Sequence, residues 1–313
     1  MVLSLADASA HFSDYCVLSR AGGTARAYKY AVQLFIRLLN DNGVASNQPT
    51  SLLQPQHFIS FPSMLLRQGY SKKSIGTYTC GVKYFYDWLV MNDFVDPPDY
   101  AKALIFQKTI RDAMKRRESK LVRHPKNGQA DLMVDMVRQL PYDAPIKERN
   151  VALVVFLRSS GCRNAEATAL VVGDFDFTER SAIVTGKGSK QRRVYYDTAA
   201  VDALKAYWKA RGWASPTDPA FARHDKGVGT KHKRITTTTI RNVVRDVCAA
   251  AGIEKGKFTP HYFRHSFAIT MLRETGNLAL VQDLLGHSSP ISTRVYAKIY
   301  PDELRDAHHK IYD

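Results

Sequence analysis

Six residues in the C-terminal half of the chain have side chains suited to chemistry on a phosphodiester: Arg163, Lys187, His261, Arg264, His287 and Tyr296. H-Y-F-R-H occupies 261–265, L-L-G-H occupies 284–287, and Tyr296 follows nine residues after His287. Two guanidiniums, an ammonium and two imidazoles are enough to grip a phosphate without a metal ion. A tyrosine hydroxyl delivered to that phosphate can attack it and hold the strand covalently. The set therefore points to cutting and rejoining of nucleic-acid strands.

Each residue also has a plainer reading. His261 could be a packed or capping histidine. His261 and His265 stand four apart, a spacing that suits zinc, but no glutamate follows the first histidine and no third ligand is apparent. Arg163 could be a surface ion-pair partner; Glu166 three residues on is placed to orient its guanidinium, a role His265 could share at the site. Lys187 could be a solvated turn lysine, and Lys190, Arg192 and Arg193 compete with it for any contact with DNA. The chain has 16 tyrosines, and only the spacing from His287 nominates Tyr296 over Tyr300, Tyr262 or Tyr312.

These side chains need helix ends and turns to hold them. Thr259-Pro260 reads as an N-cap and first helical residue for a helix over 260–274, with His261 and Arg264 on one face of its first turn. There the helix dipole is positive and backbone N–H groups are unpaired, which suits a phosphate. Gly286 closes a helix over 278–285 and sets His287 at a fixed corner. Gly161 ends an apolar helix over 146–160, and a short helix over 165–171 starts just after Arg163. Strands are expected at 174–177, 182–185 and 192–196, with G-K-G-S-K (186–190) as the hairpin turn carrying Lys187. Further helices are expected at 199–211, 237–251, 292–299 and 301–311.

The first 117 residues carry helical periodicity and no strand signal. Helices are expected at 3–18 and 25–40, then a shorter one to Gln68 with Pro62 in its first turn. Another starts after the N-cap Ser71, and a last one spans 100–117. Between the two parts, 118–126 reads as a basic linker. With the preceding turn it supplies Lys115, Arg116, Arg117, Lys120 and Arg123, which would either lie on DNA phosphates or be solvated. The fold expected is thus mainly α: a helical bundle at 1–117, the linker at 118–126, and a mostly helical domain with one small antiparallel sheet at 127–313.

The net charge of +16 favours a polyanionic partner, most often nucleic acid. Four scattered cysteines, Cys16, Cys80, Cys162 and Cys248, lack any C-x-x-C pair and read as free thiols in a reducing cytoplasm. The N-terminus lacks a basic, then apolar, leader, and no apolar run is long enough to span a bilayer, so no membrane association is expected.

Five segments, G-C-R-N-A-E (161–166), T-G-K-G-S-K-Q-R-R-V (185–194), H-Y-F-R-H-S-F-A (261–268), L-L-G-H-S (284–288) and T-R-V-Y (293–296), resemble the tyrosine site-specific recombinases, or phage integrases, and among them the Xer type. Phe263 stands where leucine is frequent in that family. The N-terminal bundle resembles the family's core-binding, SAM-like domain by pattern only.

The resemblance implies that Tyr296 attacks a scissile phosphate to give a 3′-phosphotyrosyl bond and a free 5′-hydroxyl. It further implies that Arg163 and Arg264 clamp the non-bridging oxygens, that Lys187 protonates the leaving oxygen, that His261 assists proton removal and that His287 hydrogen-bonds the phosphate. No cofactor is implied. Double-stranded DNA is the implied partner, with four protomers, all identical or including a related recombinase, exchanging strands through a Holliday junction. A cytoplasmic, nucleoid-associated protein follows. The tail after Tyr296 is expected to form an amphipathic helix that docks on a neighbouring protomer or packs on its own domain. The chain starts directly at the bundle, which disfavours the subgroup that reads separate arm sites. The alternatives weighed are type IB topoisomerase-like relaxation and a non-catalytic repressor or architectural protein.

Overall fold

Capping and apolar spacing account for the helices of the first part of the chain. In the computed structural model, which describes residues 3–96, 105, 108–109, 111–112, 128–186, 189–224, 233–253, 261–286 and 309, α1 (Leu5–Ser19) starts where Ser4 Oγ accepts from the Asp7 N–H at 3.1 Å. Helix α2 (Gly22–Asn40) begins three residues before the expected position. In α4 (Lys72–Met91) Ser71 Oγ accepts from the Ser74 N–H at 3.2 Å, the N-cap expected there. Its Ile75, Val82, Phe85, Tyr86 and Leu89 turn into the core.

Helix α3 (Pro55–Arg67) corrects one expectation. Pro55, not Pro62, occupies the first turn, and His57 Nδ1 accepts from the Gln54 N–H at 3.0 Å to close the helix start. Pro62 lies inside the helix and is buried. Proline there forfeits one backbone hydrogen bond, and the burial of Phe58, Phe61 and Leu65 around it offsets that loss. The core of this part is aromatic: Phe12 meets Phe85 edge-on at 5.0 Å and Phe35 meets Phe58 at 4.9 Å. Positions 105, 108–109 and 111–112 are helical, within the helix expected over 100–117. The rest of that helix and the linker, with Lys115, Arg116, Arg117, Lys120 and Arg123, lie outside the described residues.

The chain divides into two compact units, Met1–Lys120 and Leu121–Asp313, each with its own hydrophobic core. The second unit opens with α5 (Gln129–Gln139), a helix that periodicity had not singled out; it buries Ala130, Met133 and Val137. Helix α6 (Ile146–Ser160) is the centre of the domain, with every residue from Ala152 to Leu157 buried. It packs against α5, α8 and α10. Gly161 ends it at φ 59°, where a Cβ would stand 2.5 Å from the Phe267 ring, so only glycine fits. Helix α7 (Asn164–Ala169) ends two residues earlier than expected, because Leu170 and Val171 leave the helical region before a 3₁₀ turn at Val172–Asp174.

Three strands follow, β1 (Phe175–Asp176), β2 (Ser181–Thr185) and β3 (Gln191–Tyr195), in an antiparallel meander of order β1-β2-β3. Ala182 pairs with Val194 and Val184 with Arg192. Helices α8 (Thr198–Ala210), α9 (Thr237–Ala250), α10 (His261–Thr275) and α11 (Leu278–Leu285) complete the described part. The segments expected as helices at 292–299 and 301–311 lie outside the described residues, apart from a helical position at 309. All four cysteines are free thiols. No helix among the described residues is long and apolar enough to cross a membrane.

Candidate active site

The turn between α6 and α7 sets the first arginine. Glu166, in the first turn of α7, reaches back so that its Oε2 accepts from the Arg163 N–H at 2.8 Å. Its other oxygen, Oε1, accepts from Arg163 Nη1 at 2.7 Å. One carboxylate thus starts the helix and holds the guanidinium beside it. Glu166 is only 3% exposed, while the Arg163 side chain is 35% exposed. Burying a carboxylate is tolerable only where it is fully paired, and a second guanidinium completes the pairing: Arg192 Nη2 on β3 donates to Glu166 Oε2 at 2.9 Å.

Arg264 comes from one turn inside α10. It is 5% exposed. Its Nη1 donates to the Gly161 carbonyl at 2.9 Å and its Nη2 to the Leu285 carbonyl. The end of α11 is where the three arginines meet. Arg192 Nε also donates to Leu285 O, at 3.2 Å, and Arg163 Nη2 donates to Gly286 O at 3.3 Å. The last carbonyls of a helix have no partner within it and carry the negative end of its dipole. At α11 that unmet demand is satisfied by cations from three other elements. Gly286 holds the corner at φ 62°, and a Cβ there would lie 2.5 Å from Arg192 Cδ.

His261 begins the described part of α10, exposed and one turn before Arg264. Desolvation of its ring, and then the positive charges of Arg264 and Arg163, lower its pKa. The imidazole is therefore neutral near pH 7 and able to accept a proton. His265 is half-buried. Burial lowers the pKa of Arg192 as well, against the opposing pull of Glu166.

The hairpin mouth adjoins the pair. The Gly186 N–H donates to Lys190 O at 2.8 Å, and a Cβ on Gly186 would lie 3.3 Å from Glu166 Oε1 and 4.0 Å from Arg163 Nη1. Lys190 and Arg193 are exposed. Arg192 differs from both, since it is turned inward and engaged with Glu166 and Leu285. Strand alternation carried that signal: Arg192 shares a face with buried Val194, and Arg193 lies on the other. The tie between Arg192 and a helix end on a distant segment had no signal in the sequence.

Tyr262, a competitor for the nucleophile, is buried and donates its hydroxyl to Gln129 Oε1. Burial raises its pKa, so it is a packing residue. Phe263 is wholly buried in the core of the unit. Lys187, His287 and Tyr296, with the competitors Tyr300 and Tyr312, lie outside the described residues. So do Thr259 and Pro260. Among the described residues no three or more His, Cys, Asp or Glu side chains gather as a metal site would need.

The geometry thus gathers two arginines and a neutral histidine around the junction of α7, α10 and α11; Arg163 and His261 are accessible to a phosphate oxyanion, while Arg264 is buried with both Nη atoms on backbone carbonyls. Against known proteins, the phage integrase family matches residues 127–303. The tyrosine recombinase XerC of Pediococcus pentosaceus is 30% identical over 307 residues, covering 96% of each chain. In fold, the XerH site-specific recombinase, solved with a palindromic difH substrate in a post-cleavage complex, aligns with a TM-score of 0.71 at 21% identity over 92% of this chain and 80% of that one. The Tn1549 transposon integrase, solved with transposon right end DNA, aligns with a TM-score of 0.67 at 16% identity over 99% of this chain and 100% of that one.

Proposed function

Because the chain belongs to the phage integrase family, as a tyrosine recombinase of the Xer type, we propose that it performs site-specific DNA recombination with the six residues its motifs nominate. The observation that carries this reading is the convergence of Arg163 and Arg264 on the carbonyls of Leu285 and Gly286, the corner from which His287 and then Tyr296 continue the chain.

In the proposed reaction the Tyr296 oxygen forms a bond to the scissile phosphorus as the bond to the 5′ oxygen breaks. The phenolic proton passes towards neutral His261, and Lys187 supplies a proton to the departing 5′ oxygen. General acid–base help of this kind is worth about 10²–10⁴-fold. Arg163 and Arg264 offset the charge that builds on the non-bridging oxygens, where one such donor is worth on the order of 10²–10³ in rate. His287 adds a hydrogen bond. The phosphotyrosyl ester retains about the energy of the bond it replaced, so a 5′-hydroxyl from a second duplex can reverse the attack. This sequence uses no metal ion or nucleotide cofactor.

Double-stranded DNA is the substrate, held by the first unit as a core-binding domain, by Lys115, Arg116 and Arg117 before the linker and Lys120 and Arg123 within it, and by Lys190 and Arg193 of the hairpin. Two duplexes cut on both strands require four protomers, so a tetramer on DNA is proposed, and a cytoplasmic, nucleoid-associated protein with it. The test is covalent trapping on a nicked duplex carrying the recombination site. Wild-type protein is expected to form a protein–DNA adduct, and Tyr296→Phe to form none; adducts that persist in the variant refute the nucleophile.

A further inference from the structure

We propose that Arg192 is a positioning residue for strand cleavage, tying the Leu285–Gly286 corner to β3 and steadying the Arg163 guanidinium through Glu166. The inference rests on the recombinase reading given above. Basic residues on a hairpin would ordinarily be assigned to DNA phosphates, and Lys190 and Arg193 on either side of Arg192 are exposed to solvent. Arg192 is not. Its side chain is 15% exposed. Nε donates to Leu285 O at 3.2 Å and Nη2 to Glu166 Oε2 at 2.9 Å.

Two shared acceptors make this a brace. Leu285 O takes donors from Arg192 and Arg264, and the Glu166 carboxylate takes donors from Arg192 and Arg163. Moving Arg192 therefore shifts both phosphate-binding arginines at once. The contact with Gly286 is equally close: a Cβ there would meet Arg192 Cδ and Nε at 2.5 and 2.6 Å. The planar fork of a guanidinium is what lets one side chain serve a carbonyl and a carboxylate together; a lysine ammonium lacks that geometry. Of its three guanidinium nitrogens only Nη1 has no partner among the described residues, and it is buried, so reaching a DNA phosphate would pull the side chain away from a carboxylate that is 3% exposed.

The experiment separates binding from chemistry in the full-length chain. Affinity for a nicked site-bearing duplex and its salt dependence are measured beside the rate of adduct formation at saturating DNA. For Arg192→Lys and Arg192→Gln the saturated rate is expected to fall about 10²-fold, the cost of misplacing catalytic groups by about 1 Å, while affinity and salt slope stay as in the wild type. Glu166→Gln is expected to slow the same step, and the double variant to be less impaired than the product of the two single losses. A wild-type saturated rate in Arg192→Lys overturns the proposal. So does weaker binding with a log–log salt slope shallower by about 0.9, the mark of a lost phosphate contact. Should Arg192→Gln fail to fold, Arg192→Lys, which keeps the stem and the charge, decides alone. The wild type distinguishes the two claims, since a wild type that forms no adduct at all refutes the recombinase reading and not the brace.

Discussion

Glu166 shows how much one side chain can organise. Its carboxylate caps α7 through the Arg163 N–H, pairs with the Arg163 guanidinium and receives Arg192 from the sheet. Glu166→Gln keeps the shape but removes the charge, and is expected to destabilise the fold by about 1–3 kcal/mol in denaturant titration, the usual cost of impairing a buried hydrogen-bonded group. His261 makes a pH-dependent prediction. Its folded pKa is depressed below the ordinary 6.5 by desolvation and by Arg264 and Arg163. The adduct rate at limiting DNA, which reports the free protein, is therefore expected to fall at lower pH than an ordinary imidazole would impose; His261→Gln should lower that rate and remove the limb. Stability follows with the same sign. Below about pH 6.5 the unfolded chain takes up this proton more readily than the folded one, so the contribution of His261 is full above 6.5 and is lost as pH falls through the folded pKa.

At the scale of elements, the site is a meeting of helix ends. Helix α6 stops at Gly161, α7 starts at Arg163, and α11 stops at Gly286. Orphan carbonyls at two of these ends become acceptors for Arg264, Arg192 and Arg163. Gly161→Ala is expected to cost about 1–3 kcal/mol, because the new methyl would overlap the Phe267 ring and the backbone there is left-handed; thermal unfolding measures it, and an unchanged midpoint would count against the close packing described. Glycines at helix ends were readable from the sequence for this reason. Pro62 was misplaced because periodicity cannot tell a first-turn proline from an interior one, and Pro55 lay within reach of the same helix. Helix α5 is not among the expected elements although its buried Ala130, Met133 and Val137 keep helical spacing.

For the whole molecule, two units with separate cores and a net charge of +16 describe a protein whose association with DNA should depend steeply on salt. The proposed assembly is tested through the tail. Deleting residues 300–313 is expected to leave cleavage of a nicked duplex intact but to lower the mass of the DNA complex below that of four protomers, as read by light scattering; tetramers that form undiminished would place the tail on its own domain. The six nominated residues span 163 to 296, and only Arg163, His261 and Arg264 fall where the structure describes them.

Residue order and motif spacing were sufficient to nominate the six reactive side chains, the mainly helical fold with its small antiparallel sheet, and the family, since periodicity, glycine stops and motif order are local properties of a chain. The function of Arg192 needed the folded molecule. Which carbonyl at the end of α11 lacks a partner, and which guanidinium reaches it, depends on how segments more than ninety residues apart pack. No spacing rule encodes that packing, because the demand for a hydrogen bond arises only once a helix has ended in space.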